Sequence, residues 1–104
     1  MYTLDQLSDR LFGRRLRLQV ASWILLHEQA SFFQGQAAQG IGYSAGEVTK
    51  ELNRLVDLGM IIRHEISAGD RRQYYTRVDE CPFWEIIRVA RAAVDQEQPD
   101  TAAQ

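Results

Sequence analysis

A chain of 104 residues, 45% hydrophobic and 25% charged, has the size and composition of one globular domain. That length allows a modest core but not a reader domain beside a separate catalytic or effector domain. A net charge of −2 argues against indiscriminate nucleic-acid binding, and a single cysteine excludes an internal disulfide, which makes a reduced, cytoplasmic setting the expectation.

The charge is unevenly spread. Residues 10–77 hold ten Lys and Arg against six Asp and Glu, whereas residues 78–104 hold two against six. Either the middle of the chain faces phosphate, or the charges are simply scattered over solvated faces. The acidic first nine residues begin a helix pattern rather than a signal peptide, and no apolar run reaches membrane-spanning length.

Thr3 followed by Gln6 is a capping-box pattern, after which Leu4, Leu7, Leu11 and Phe12 line one side of a short helix that Gly13 interrupts. Arg14, Arg15 and Arg17 lead into a segment in which Val20, Ala21, Trp23, Ile24, Leu25 and Leu26 are apolar almost all round, the pattern of a buried central helix. The three arginines suit either phosphate contact or plain solvation of a helix start. Beyond them Phe32 and Phe33 precede a Gln, Ala and Gly run of weak helix propensity, read as a short helix over 35–40. Its Ala37 and Ala38 permit close approach to the next helix, with Ile41 plugging the corner.

Residues 42–59 carry the clearest local signals. Ser44 with Glu47 is a second capping box, Gly59 a stop, and Val48, Leu52, Leu55 and Val56, with Leu58 near the end, form one apolar stripe. The opposite face holds Ala45, Gly46, Thr49, Lys50 and Asn53, which is short, polar and mildly basic, as the floor of a major groove requires. A short helix, a glycine turn and a capped amphipathic helix make a helix-turn-helix.

After Gly59 the period changes. Residues 60–66 and 72–78 are β-prone runs around a turn-rich tip at 67–70, predicting a two-stranded hairpin tipped by Asp70, Arg71 and Arg72. Alternation puts Ile62, His64 and Ile66 on one face and Tyr74, Thr76 and Val78 on one face of the return strand; whether Tyr74 or Tyr75 faces inward stays open, because a one-residue bulge exchanges them. Pro82 signals a first helical turn, and Phe83, Trp84, Ile86, Ile87, Val89, Ala90, Ala93 and Val94 give the last helix an apolar surplus of the kind a second subunit covers. Residues 97–104 are polar, contain Pro99 and are expected to be disordered.

In this order of elements, the run from Ser44 through Val48, Leu52, Leu55 and Gly59 to Ile62, with the tip Gly69, Asp70, Arg71, Arg72, Gln73, Tyr74 and Tyr75, resembles the winged helix-turn-helix transcriptional regulators of the ArsR and MarR type over roughly residues 14–80. The resemblance implies a mostly helical α+β domain over 1–96, with the helix-turn-helix at about 33–59, a two-stranded wing at about 60–78 and a terminal helix at about 82–96. It implies a homodimer joined by N- and C-terminal helices, for which Leu4, Leu7, Leu11, Phe83, Trp84, Ile87, Ala90 and Val94 are the candidate interface residues. On double-stranded DNA, Ser44, Ala45, Gly46, Thr49, Lys50, Asn53 and Arg54 would lie at the major groove, and Arg71 and Arg72 at the minor groove or backbone. Lysine donates to guanine O6 and N7, and asparagine pairs bidentately with adenine; Glu47 suits either capping or a cytosine amino group.

Departures from the family narrow the reading. Cys81, His27 and His64 are isolated in sequence, unlike the paired ligands of metal-sensing members, and the bulk that builds a ligand pocket in longer MarR-type chains is missing. Gly40, Gly42 and Gly46 are misspaced for a phosphate loop, and no GxSxG or HExxH occurs, so no cofactor, metal or catalysis is expected. The expectation is a bacterial DNA-binding regulator whose effector is undefined. The alternative is a winged-helix protein-interaction module in which Phe83, Trp84 and Ile87 bind a different protein.

Overall fold

Thr3 opens the first helix, α1 (Leu4–Phe12), with both halves of its capping box formed: its hydroxyl accepts from the Gln6 N–H at 3.1 Å and the Gln6 side chain accepts from the Thr3 N–H at 3.0 Å. Gly13 closes α1 in the left-handed conformation, φ 71°. The next helix, α2 (Arg17–Leu26), begins after Leu16, which has no side-chain cap to offer. Ser8 of α1, fully buried, supplies it: its Oγ accepts from the Leu18 N–H at 3.0 Å and donates to the Arg14 carbonyl. One hydroxyl thus satisfies an orphan donor of α2 and fixes the α1–α2 corner. Leu18, Val20, Ala21 and Ile24 are buried as a central helix requires, but Leu26 emerges into solvent at the helix end.

The computed structural model describes residues 3–97. After α2 come β1 (Ser31–Phe33), α3 (Gln34–Ile41), α4 (Ala45–Asp57), β2 (Ile61–Arg63), β3 (Tyr74–Arg77) and α5 (Phe83–Glu97). Five helices with a small antiparallel sheet of order β1-β3-β2 constitute a winged helix. Of the tail expected over 97–104, Glu97 ends α5, and residues 98–104 lie outside the described residues.

The sheet has three strands rather than the two expected. Ser31, Phe32 and Phe33 pair with Thr76, Tyr75 and Tyr74, a strand too short to show alternation in the sequence. The hairpin strands are also shorter than the runs 60–66 and 72–78, because the Asp70 carboxylate, not a cross-strand carbonyl, takes the Arg72 N–H at 3.0 Å and turns the chain before a ladder forms. Tyr75 is the inward tyrosine; it is buried and stacks on Phe32 with ring centroids 5.6 Å apart, while Tyr74 lies on the opposite face beside Phe33.

Ala37 and Ala38 bury α3 between α2 and α4. A Cβ at Gly40 would come within 2.2 Å of the Trp23 indole nitrogen, so the close seat of α3 on α2 depends on that glycine. Gly42, at φ 88°, makes the turn into α4. Ser44 caps α4 by accepting from the Glu47 N–H at 3.3 Å, but the reciprocal half of the box does not form, because the Glu47 carboxylate turns to Lys50 at 3.6 Å.

Val48, Leu52 and Leu55 bury the inner face of α4 as their spacing dictates, and so does Glu51, a charged residue within the stripe. Its side chain is 1% exposed and both oxygens are engaged: Arg14 reaches one at 2.9 and 2.7 Å, Arg17 the other at 3.0 Å. Burial of a lone carboxylate is prohibitively unfavourable, so its place here depends on both arginines. Their side chains stay 42% and 20% exposed, so the desolvation falls chiefly on the carboxylate.

On α5, Trp84 is buried and donates its indole N–H to the Met60 carbonyl at 3.2 Å, and Ile87, Ala90 and Val94 are buried with it. These four, expected at a subunit interface, lie in the protomer's own interior instead. The helix period had merged two faces, and the outward one carries Ile86 and Val89.

Glu51→Ala is expected to lower unfolding stability by about 2–4 kcal/mol, toward the lower part of the range for breaking a buried pair because the arginines are free to rehydrate. Equilibrium urea denaturation measures this; an unchanged midpoint would mean the clamp adds nothing to the fold.

Candidate nucleic-acid interface

The outward side of α4 is the surface to which most of the candidate residues come. Ser44, Ala45, Gly46, Lys50, Asn53 and Arg54 are exposed and Thr49 is half-exposed. Gly46 has no heavy atom near its absent Cβ, so the backbone there is open to a flat ligand. Each polar side chain has a definite engagement. Thr49 donates back to the Ala45 carbonyl at 2.7 Å, which uses its hydroxyl proton and leaves its oxygen able to accept. Lys50 pairs only loosely with Glu47, both groups remaining largely solvated, so its ammonium is free to exchange that partner for another acceptor. The Asn53 amide oxygen accepts from the Arg63 guanidinium.

Two flanks frame this helix. On one side Arg14, Arg15, Tyr43, Glu47 and Lys50 line a cleft of about 350 Å³. Arg14 is held by Glu51 although its side chain is 42% exposed, so Arg15 is the exposed cation of this corner outside that clamp. On the other side stands the wing. Arg63 shares the face of β2 with Ile61, but at the strand's end, beyond the core, where it meets α4 instead of being buried. Sequence reasoning passed over Glu51, Tyr43 and Arg63. The signals were present: Glu51 sits three residues after Val48 on the apolar stripe, and Arg63 two after an inward isoleucine.

At the wing tip Arg72 makes a two-point clasp on Asp70, both nitrogen–oxygen distances 2.9 Å, and its guanidinium lies 4.8 Å from the Phe33 ring centroid and 5.6 Å from that of Tyr74. The Arg72 side-chain hydrogen bonds, then its backbone N–H, hold the Asp70 carboxyl down at about 2, against an ordinary 3.8. Arg72 therefore closes the tip, while Arg71 beside it is exposed. The two candidate cations of the wing differ in what they do.

The isolated residues have local roles. His27 stacks on Trp23 at 4.5 Å, His64 Nε2 hydrogen-bonds the Thr76 hydroxyl at 2.6 Å, and the half-buried Cys81 thiol faces the Leu58 carbonyl at 4.0 Å. Among the described residues no three His, Cys, Asp or Glu side chains gather as a metal site would need, and no helix is long and apolar enough to cross a membrane.

No protein-family model matches the chain, and no curated protein matches its sequence. Solved structures do match its fold. MepR, a transcription regulator of the Staphylococcus aureus multidrug efflux pump MepA, superposes with a TM-score of 0.69 at 16% identity, covering 97% of this chain and 72% of MepR. The MepR–DNA complex gives 0.71 over the same shares at 16% identity. A further transcriptional regulator gives 0.63 at 22% identity, over 95% of this chain and 69% of that one. At these identities the likeness is one of fold: the chain has the winged-helix architecture of MepR along nearly its whole described length.

Proposed function

We propose that this protein is a sequence-specific, double-stranded DNA-binding transcriptional regulator that acts as a homodimer and not as an enzyme. The observation that carries the proposal is the outward face of α4: small residues at its capped N-terminus, then Thr49, Lys50 and Asn53, flanked by Arg15 on one side and by Arg63 on the other, with Arg71 exposed at the wing tip. A helix so dressed fits a major groove, because the short residues let the backbone approach while the cations meet phosphates on both walls. That a fold neighbour is a regulator in complex with DNA supports the same use of this fold.

In this reading Ser44, Ala45 and Gly46 sit against the groove edge, and Thr49, Lys50 and Asn53 reach base edges. Arg54 faces backbone, Arg71 enters the adjacent minor groove or meets its phosphates, and Arg72 holds the tip in shape for it. Counterion release then governs affinity despite the acidic net charge, because the cations that count are on one surface.

Dimerisation is supported by an apolar surface that runs across α1 and α5. Leu11, Phe83, Ile86 and Val89 are exposed at 58%, 40%, 49% and 61%. Leu7, Ala90 and Ala93 join Leu11, Ile86 and Val89 along one shallow groove of about 400 Å³. Four large exposed apolar side chains on adjacent helices are more than isolated surface hydrophobics and call for a partner. A second copy satisfies this and matches a two-fold operator. The candidates Leu4, Leu7, Leu11 and Phe83 remain part of the proposed interface; the nearly buried Ala90 reaches the floor of the groove, and Trp84, Ile87 and Val94 support it from beneath.

Selection from random duplexes should enrich a pseudo-palindromic site whose binding weakens steeply with salt. Lys50→Ala should flatten preference at one position per half-site by about 1–3 kcal/mol, while Arg71→Ala should weaken all sequences alike and reduce the salt slope by about 1. No enrichment of any duplex would sink the proposal.

Ile86→Glu with Val89→Glu should halve the mass seen by sedimentation and leave the helical circular dichroism intact; an unchanged mass would place the subunit contact elsewhere.

The wing clasp gives a pH signature. Its carboxyl is depressed, so the stabilisation is complete above the ordinary value of 3.8 and disappears as pH falls through about 2. An NMR titration of the Asp70 carboxyl should show a midpoint near 2, and a midpoint near 3.8 would mean that the tip is open in solution.

A further inference from the structure

One arginine of the α1–α2 corner has two hydrogen-bonding edges, and the fold uses only one of them. Arg14 donates from Nε to Oε2 of Glu51 at 2.9 Å, and its Nη2 lies 2.7 Å from the same oxygen. Arg17 takes Oε1 at 3.0 Å, so the buried carboxylate is held from both sides and is not free to swing toward solvent. The Nε and Nη2 edge of the Arg14 guanidinium is thereby fixed, and because the group is planar and rigid, the direction of its other donors is fixed with it. That second edge, Nη1 with the outer N–H of Nη2, has no partner among the described residues, and the side chain is 42% exposed.

Arg14 also lines the cleft of about 350 Å³ at the N-terminal end of α4, together with Arg15, Tyr43, Glu47 and Lys50. Arg15 and Tyr43 are exposed there, and Lys50 is held by Glu47 only at 3.6 Å. Arg14, Arg15, Arg17 and Lys50 outnumber Glu47 and Glu51, so the corner keeps an excess of positive charge although both carboxylates are engaged. The occupant that fits is a phosphodiester. Its two unesterified oxygens match the end-on fork of a guanidinium, and the strand bordering the groove that α4 enters supplies it at the rim. In such a seat Arg15 and Lys50 contribute charge, while Arg14, whose charge Glu51 offsets, contributes geometry.

We propose that Arg14 binds one DNA backbone phosphate through its outer edge, and that Glu51 is the positioning residue which orients it by holding the inner edge; this rests on the DNA-binding function proposed above. The buried clamp thereby sets the register of the protein on the duplex as well as the rotation of α4.

The test is a scan of a selected duplex in which each phosphate in turn is replaced by a neutral methylphosphonate, read as affinity of the full-length protein and of two variants whose helical circular dichroism is native. For wild type, one replacement per half-site at the groove rim should weaken binding by roughly 10-fold, the loss of a hydrogen bond to a charged group. Arg14→Lys keeps the charge and can still pair with Glu51 but has no second edge, so the same replacement should cost it about 2-fold, the effect of an exposed point charge. Glu51→Gln keeps the shape and removes a negative charge, so charge alone would tighten binding; loss of orientation should instead weaken it by roughly 2- to 10-fold, the cost of ordering one long side chain. A measurement on the unaltered protein is independent of how the variants fold: the Arg14 Nη1 protons, followed by arginine-selective NMR, should exchange quickly with water in the free protein and become protected on adding the duplex. Nη1 protons that stay unprotected in the complex would overturn the inference, as would an Arg14→Lys scan identical to that of wild type or a Glu51→Gln protein that binds as tightly as wild type or more so. Wild type that selects no duplex overturns the DNA-binding function itself, and this inference with it.

Discussion

The structure depends on one buried carboxylate. Glu51 lies on the inner face of α4 where an apolar residue would serve the core as well, and it is acceptable there only because Arg14 and Arg17 reach it from the α1–α2 corner. A buried ion pair of this kind is a weak source of stability but a strict geometric requirement: loss of the arginines strands the carboxylate in the interior, whereas hydrophobic contacts alone would tolerate a sliding helix. The corner that supplies the arginines is itself fixed, since Ser8 caps α2 from α1 and accounts for the Arg14 carbonyl. The chain of constraint thus runs from α1 through the corner to α4, and the rotation of α4 about its axis follows. Whatever Thr49, Lys50 and Asn53 touch, they touch at an angle set by a residue on the opposite face.

The clamp also sorts the cations. The corner contains Arg14, Arg15 and Arg17, and a count of charges along the sequence credits all three to the surface. Two are tied to Glu51, whose carboxylate offsets their charge, so the outward electrostatics of the α4 face depend chiefly on Arg15, Lys50, Arg54, Arg63 and Arg71. At the wing the same division holds, with Arg72 closed on Asp70 and stacked beside two aromatic rings while Arg71 stands free of that clasp. Basic residues adjacent in sequence thus serve different ends, one holding shape and its neighbour meeting solvent or ligand.

Much of the architecture was legible because it rests on local chemistry. The Thr3 and Ser44 caps, the stops at Gly13 and Gly59, the stripe of Val48, Leu52 and Leu55, and the change of period after Gly59 are all written within a few residues of where they act. What the sequence concealed was long-range. Strand β1 is three residues whose extended form depends on a partner more than forty residues away, at Tyr74, Tyr75 and Thr76. The partition of α5 into an inner face of Trp84, Ile87, Ala90 and Val94 and an outer one of Ile86 and Val89 required knowing which side meets Met60 and α2. The pairings Glu51 with Arg14 and Arg17, and Asn53 with Arg63, join residues ten to thirty-seven positions apart, and no periodicity reports them. The groove face of α4 was therefore visible as a set of residues, while the contacts that orient those residues were not.

The central claim is that two copies of α4, each held at a fixed angle, read successive major grooves of one duplex. Hydroxyl-radical footprinting of a selected site tests it most directly. The account predicts two protected patches on one face of the DNA, with centres about 34–36 Å, or 10–10.5 base pairs, apart, each flanked by weaker protection where the wings lie. A single protected patch, or protection that moves with the duplex end and not with the sequence, would contradict it.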